Sequence, residues 1–305
     1  MDKRSHYYNC RKNLSLLRGG QLLSPQEDYI CPLCMKSFPS GIENGLLTEE
    51  DVPQKSLGGQ RITLTCKKCN NTCGTKIDIH LLEAIKGIEQ RAFLPGTNRR
   101  VSVNHEGKRL NAFLEVVGTN DFLLNVNTKW NDPKVWEDYR AHILLEKNII
   151  NVQDAPLKRN LRRISSALLK NAYLILYART GYTFLADVFY NNLRRQIMEP
   201  EPFILPERLW IFQNVSVPDG IYLTRDNRYR GFFVVYSLYL QNTYRVCVLI
   251  PTPNVGYLQA CYELQKINSG THIHVCRLPE NLDFLCDLDA INQLRRWCYG
   301  WNLDF

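Results

Sequence analysis

The 305-residue chain contains no apolar run near the roughly 20 residues that a membrane-spanning helix requires. Its opening, MDKRSHYYNCRKNLSLLRGG, is basic but has neither the apolar centre nor the small-residue cleavage site of a secretory signal. These two absences point to a soluble cytoplasmic protein without a membrane partner. Internal repeats and low-complexity tracts are also missing, so nothing indicates a solenoid or a disordered linker. There is no dedicated basic arm either. The formal charge is +8, with 15 basic and 10 acidic side chains in residues 1–100, 14 and 10 in 101–200, and 9 and 10 in 201–305. The excess lies in the first two thirds and gives a modest preference for polyanions.

An apolar fraction of 45% and a charged fraction of 22% suit a folded protein with room for a small module and a larger core. Eleven cysteines are an odd number in a chain of this size. That argues against a disulfide framework and, in a reducing compartment, for metal binding. Cys247, Cys261, Cys276, Cys286 and Cys298 stand singly in apolar surroundings and read as small buried hydrophobes.

Patterning divides the chain into a basic lead-in with a short helix (1–24), a compact cysteine-rich module (25–95) and a mixed α/β domain (96–305) with a sub-boundary near 200. The expected class is α+β. In RITLTC, Ile62, Leu64 and Cys66 alternate with Arg61, Thr63 and Thr65, predicting a half-buried strand. A helix follows, with Ile77, Leu81, Leu82 and Ile85 on one face. Residues 99–127 read as a hairpin or small meander, with turns at HEGK and GTND. The spacing of Leu161, Ile164, Leu168, Ala172 and Leu176 predicts a helix over 158–179, capped by Gly181, with Arg159, Arg162, Arg163 and Lys170 on its exposed side. A second helix is expected over 184–197. LWIFQNV, GFFVVYSLYL, YRVCVLIP and HIHVCRL read as strands of a mostly antiparallel sheet.

The strongest chemical signal is the pair of Cys-x-x-Cys motifs, Cys31/Cys34 and Cys66/Cys69. Two residues between cysteines let both thiolates of one turn reach the same tetrahedral ion, so these four are the expected ligands of a structural zinc. Four sulfur ligands leave no open position for chemistry. His272 and His274 alternate onto one strand face but lack a third ligand, and they read as exposed strand histidines.

Between the cysteine pairs, EEDVPQKSLGG followed by RITLTCKKCNNTCG resembles the HNH endonucleases, the ββα-metal family. The likeness covers residues 31–87. SSALLKNAYLILYARTGYTF also looks like a helix that follows the zinc module in a bacterial subgroup of that family. The resemblance implies a small zinc-bound ββα-metal, treble-clef-like module followed by a larger domain of helices and antiparallel sheet. It further implies that Glu50 and Asn70 hold a catalytic Mg²⁺ or Mn²⁺, which grips a phosphate oxygen and stabilises the leaving oxygen. Asp51 occupies the place of the family's histidine base. The asparagine that orients that histidine falls at Arg61 or Gln60 here. Asp51 and Arg61 then either form an ion pair across the hairpin or each face solvent. A reference pKa near 3.9 in place of about 6.5 makes aspartate the weaker base, by about 10- to 30-fold in rate at a Brønsted slope near one half. His80, ten residues after Asn70 and so roughly 15 Å along the predicted helix, is too far away to replace the base.

Three functions follow from these features. The first is a metal-dependent endonuclease, weakened at Asp51, that hydrolyses double-stranded DNA. The second is a catalytically inactive HNH-like module that binds nucleic acid through its phosphates. The third gives the function to the C-terminal domain as a surface for a protein partner or a second copy of the chain.

Overall fold

The computed structural model describes residues 2–17, 29–38, 42–105, 107–142, 160–201, 210–212, 215–224, 226–253, 259, 262–263, 266 and 272–300. Cys261, Arg159 and the segment just beyond the expected sub-boundary, 202–209, lie outside the described residues. The class is α+β, built from helices and small antiparallel sheets. The chain forms two units, one made of Met1–Leu82 with Asn160–Phe305 and the other of Glu83–Arg159. This division does not follow the boundaries expected at 24 and 95. Helix α1 (Lys3–Leu17) packs onto the cysteine module and Asn160–Phe305 completes the same unit, so the module shares a core with sequence far downstream.

In the first unit, strands β1 (Tyr29–Ile30) and β2 (Ser37–Phe38) form one short ladder, and β3 (Leu47–Val52) and β4 (Gln60–Cys66) form another. β4 runs directly into α2 (Lys67–Cys73), a π turn (Gly74–Asp78) and α3 (Ile79–Arg91), which continues past Gly87. β4 is not half-buried as its alternation predicts. Thr63 and Thr65 are buried with Leu64 and Cys66, because α1 and the long helix α5 (Leu161–Thr180) both pack against the strand.

α5 starts at Asn160, whose side chain accepts the Arg163 N–H, and ends at Gly181, whose N–H bonds back to Tyr177 at φ +60°. Leu168–Leu174 is buried without interruption. Lys170 therefore does not decorate an exposed face. The β3–β4 hairpin and the large sheet both pack on this helix, and no solvent face remains around its middle turns.

The predicted second helix starts late. A 3₁₀ turn (Val188–Tyr190), stabilised by the Asp187 side chain accepting the Phe189 N–H, precedes α6 (Asn191–Met198). The large sheet has the order β12 (Val275–Arg277), β9 (Gly220–Thr224), β10 (Gly231–Tyr239), β11 (Thr243–Pro251), β8 (Trp210–Phe212), with every pair antiparallel. Helix α7 (Leu288–Cys298) closes the described chain. Cys247 and Cys298 are buried as expected, whereas Cys276 and Cys286 are half-buried.

The second unit contains the predicted meander, β5 (Asn98–His105), β6 (Lys108–Gly118) and β7 (Asp121–Val126). Val101, Val103, Leu110, Ala112 and Leu114 form its core with Tyr139 of α4 (Pro133–His142).

Candidate metal centre and acidic site

The four expected cysteines converge. Cys31 and Cys34 lie on the turn that follows β1, closed by Met35 N–H bonding to the Cys31 carbonyl. Cys66 ends β4 and caps α2, its sulfur accepting the Cys69 N–H at 3.4 Å, while the Cys66 N–H donates to the Cys31 sulfur at 3.4 Å. All four Sγ atoms lie within 4.8 Å of one another, and Cys34 and Cys66 are 3.9 Å apart. Four sulfurs about 2.3 Å from a tetrahedral zinc are separated by about 3.8 Å. The cluster could thus hold a metal ion such as zinc, and it is the one such group among the described residues. The thiols of Cys34 and Cys66 are held below the usual range, chiefly by the hydrogen bond from Cys31. His272 and His274 are exposed, just ahead of β12.

The three other predicted site residues occupy the hairpin and α2, but they point to different partners. Glu50 is opposite Thr63, Asp51 is opposite Arg61, and the register shifts between them. The Glu50 carboxylate is buried. Its Oε1 accepts from Lys170 Nζ at 2.9 Å and its Oε2 from Thr65 Oγ1 at 3.0 Å. Lys170 also donates to Asp78 Oδ2 at 2.6 Å, and the side chains of Lys170, Glu50 and Asp78 are 0%, 4% and 8% exposed. The π turn places Asp78 there, and Gln54 fixes it further by donating to the Asp78 carbonyl. Burial alone would lower the Lys170 pKa, but the charges of Asp78 and Glu50 more than reverse this and raise it.

Asn70 is engaged through its amide nitrogen. Its Nδ2 donates to Thr48 Oγ1 at 3.1 Å and to the Glu49 carbonyl at 3.3 Å, tying α2 to β3. Asp51 is half-buried, and its carboxylate makes no hydrogen bond or ion pair among the described residues. The Asp51–Arg61 pair does not form, because Arg61 Nη1 goes to Glu49 Oε2 at 3.2 Å. His80 pairs with Arg163 Nη1 at 2.9 Å, and its pKa is lowered by burial and by that guanidinium.

A hydrated Mg²⁺ or Mn²⁺ retains several waters and needs free carboxylate lone pairs. With both oxygens engaged by protein donors and almost no exposure, Glu50 does not fit such an ion. Lys170 was missed from sequence, although one lysine inside ALLKNAYLIL, a stretch apolar on all sides, is itself a sign of a buried charge with a partner. Compared with family models, curated proteins and solved structures, the chain matches none.

Proposed function

We propose that this chain is a zinc-stapled, HNH-like protein that binds double-stranded DNA through its phosphates and does not hydrolyse them. The observation that carries the reading is the Lys170 ammonium, which lies between Glu50 and Asp78 and so occupies one of the two residues, Glu50 and Asn70, to which the resemblance assigns a divalent cation. An ammonium supplies charge but no Lewis-acid orbital and no bound water, so it cannot activate a nucleophile. The likeness to an HNH module is supported by the order of parts, with a cysteine pair, a hairpin, a second pair at the joint of strand and helix, and Asn70 in the first turn of that helix.

Zinc, when bound, supplies rigidity and no chemistry, since the four sulfurs close its coordination. Binding rests on the chain's own surface. Lys67 and Lys68 open α2, Lys76 lies on the π turn and Lys55 on the hairpin loop, and all four are exposed. Lysine ammoniums that neutralise phosphates release counterions, so affinity falls steeply with salt. The Asp51 side chain has no partner among the described residues, and its carboxylate beside Glu50 repels a phosphate.

Two assays on the zinc-loaded chain test this. Fluorescence anisotropy with a short DNA duplex, from about 50 to about 200 mM salt, should give a log–log slope of roughly −3 to −4, reduced by about 2 in Lys67→Ala/Lys68→Ala. Plasmid nicking with Mn²⁺ should be absent. Nicking that disappears in Asn70→Ala would establish the hydrolytic reading instead, and a salt-independent affinity would remove the phosphate-binding one.

A further inference from the structure

A cleft of about 390 Å³ opens between β4, α5 and the edge of the large sheet formed by β9 and β12. It belongs to neither the cysteine cluster nor the buried lysine, and its size falls in the range of roughly 300–1,000 Å³ typical of small-ligand sites. Three guanidiniums line it, those of Arg61, Arg179 and Arg277, against one carboxylate, Glu280. Its remaining wall is largely apolar, with Ile62, Ile175 and Ile221.

The three arginines are held differently. Arg179 is fixed, with Nη2 donating to the carbonyls of Pro279, Glu280 and Leu282 at 2.8, 3.0 and 2.7 Å. Arg277 and Arg61 are each held by an ion pair at the surface, to Glu280 at 2.6 Å and to Glu49 at 3.2 Å, and Arg277 Nη2 also donates to the Asp219 carbonyl at 3.2 Å. Exposed pairs of this kind are worth about 0–1 kcal/mol, so a doubly charged phosphate can displace them with little loss. A guanidinium fork suits phosphate, which accepts from two arginines at once. Gly220 lets Arg277 lie close to β9, since a Cβ there would come within 3.1 Å of the Arg277 Nε.

We propose that this cleft binds a nucleotide, with its phosphate on Arg61 and Arg277 and its flat base against Ile62, Ile175 and Ile221. Arg179 contributes fixed positive charge to the cleft. The site is independent of duplex binding by the lysines of α2, and either can fail without the other.

Calorimetry on the zinc-loaded full chain tests it, with AMP, adenosine and inorganic phosphate as probes. AMP should bind, and adenosine and phosphate should each bind at least tenfold more weakly. Arg61→Ala and Arg277→Ala, both at exposed side chains, should each weaken AMP at least tenfold with no change in melting temperature. Ala178→Trp, which fills the cleft from α5, should abolish binding. A short 5′-phosphorylated oligonucleotide that competes with AMP would identify strand ends as the source of the ligand, and one that does not compete would identify free nucleotide. The proposal is overturned if AMP does not bind, or if it binds equally well to all three variants.

Discussion

Lys170 and Glu50 are 120 residues apart in sequence and meet at 2.9 Å in a site closed to solvent. One belongs to the middle of α5 and the other to the strand that carries the acidic motif. Their contact joins the cysteine module to the rest of its unit and at the same time engages the buried acid of the hairpin.

Removing the ammonium should be severe. In Lys170→Met, Glu50 and Asp78 are left buried without a counter-charge, and a loss of about 3–5 kcal/mol is expected. Urea denaturation measures it. The triple variant with Glu50→Gln and Asp78→Asn should recover a substantial part, because no uncompensated charge then remains. Native stability in the single variant would show that the pair is not buried.

Stripping the metal should loosen the hairpin. Chelation, or Cys31→Ser, should lower stability by several kcal/mol, which for a chain of this size is a fall in melting temperature of about 5–10 °C. One zinc per chain, lost in Cys31→Ser, is the expected result of metal analysis. A metal-free chain with an unchanged melting temperature would exclude a structural role.

His6 gives a pH dependence. It is buried on α1, with Nε2 3.1 Å from Thr63 Oγ1, and burial pushes its pKa down from 6.5 to about 4. Between these values the unfolded chain holds the proton and the folded one does not, so stability rises with pH. The contribution is fully present above about pH 6.5 and is lost as pH falls toward about 4, in total about 3 kcal/mol. Urea midpoints across this range should show the decline, and His6→Asn should flatten it.

The two glycines of the hairpin loop do different work. Gly58 stands at φ +82° and presses against the ring of Tyr239 on β10, while a Cβ on Gly59 would fall directly on the Pro53 carbonyl oxygen. Gly59→Ala must move backbone, and a loss of about 1–3 kcal/mol is expected in denaturant melts. A neutral Gly59→Ala would show that the loop has room to shift.

Features with a local cause could be read from the sequence. The cysteine spacing, the β4 strand, the meander of the second unit and the helix α5 with its Gly181 stop all depend on neighbours within a few residues. Features set by distant packing could not. The apolar neighbours of Lys170 mark a buried charge, but nothing near it in sequence names Glu50 and Asp78 as its partners, which the packing of the hairpin against α5 decides. Arg61 faces Asp51 in the ladder, yet its guanidinium reaches Glu49 instead, a rotamer choice that register alone does not fix. β9 is only five residues long, too short for its alternation to stand out, whereas α7 has a local signal in Ile291, Leu294 and Cys298, which recur at helical spacing behind the Asp287 cap.

The placement of Lys170 also sets an order of events during synthesis. Asp78, the later of the two acids, leaves the ribosome 92 residues before Lys170, which at roughly 5–20 residues per second is a delay of about 5–18 s. Through that interval a nascent chain carries the acidic pair without its counter-charge, and the cysteine clip alone can hold the hairpin in shape. Metal should therefore load before the lysine arrives, and zinc-starved cells should accumulate chains arrested at this half-built stage, where proteases cut them.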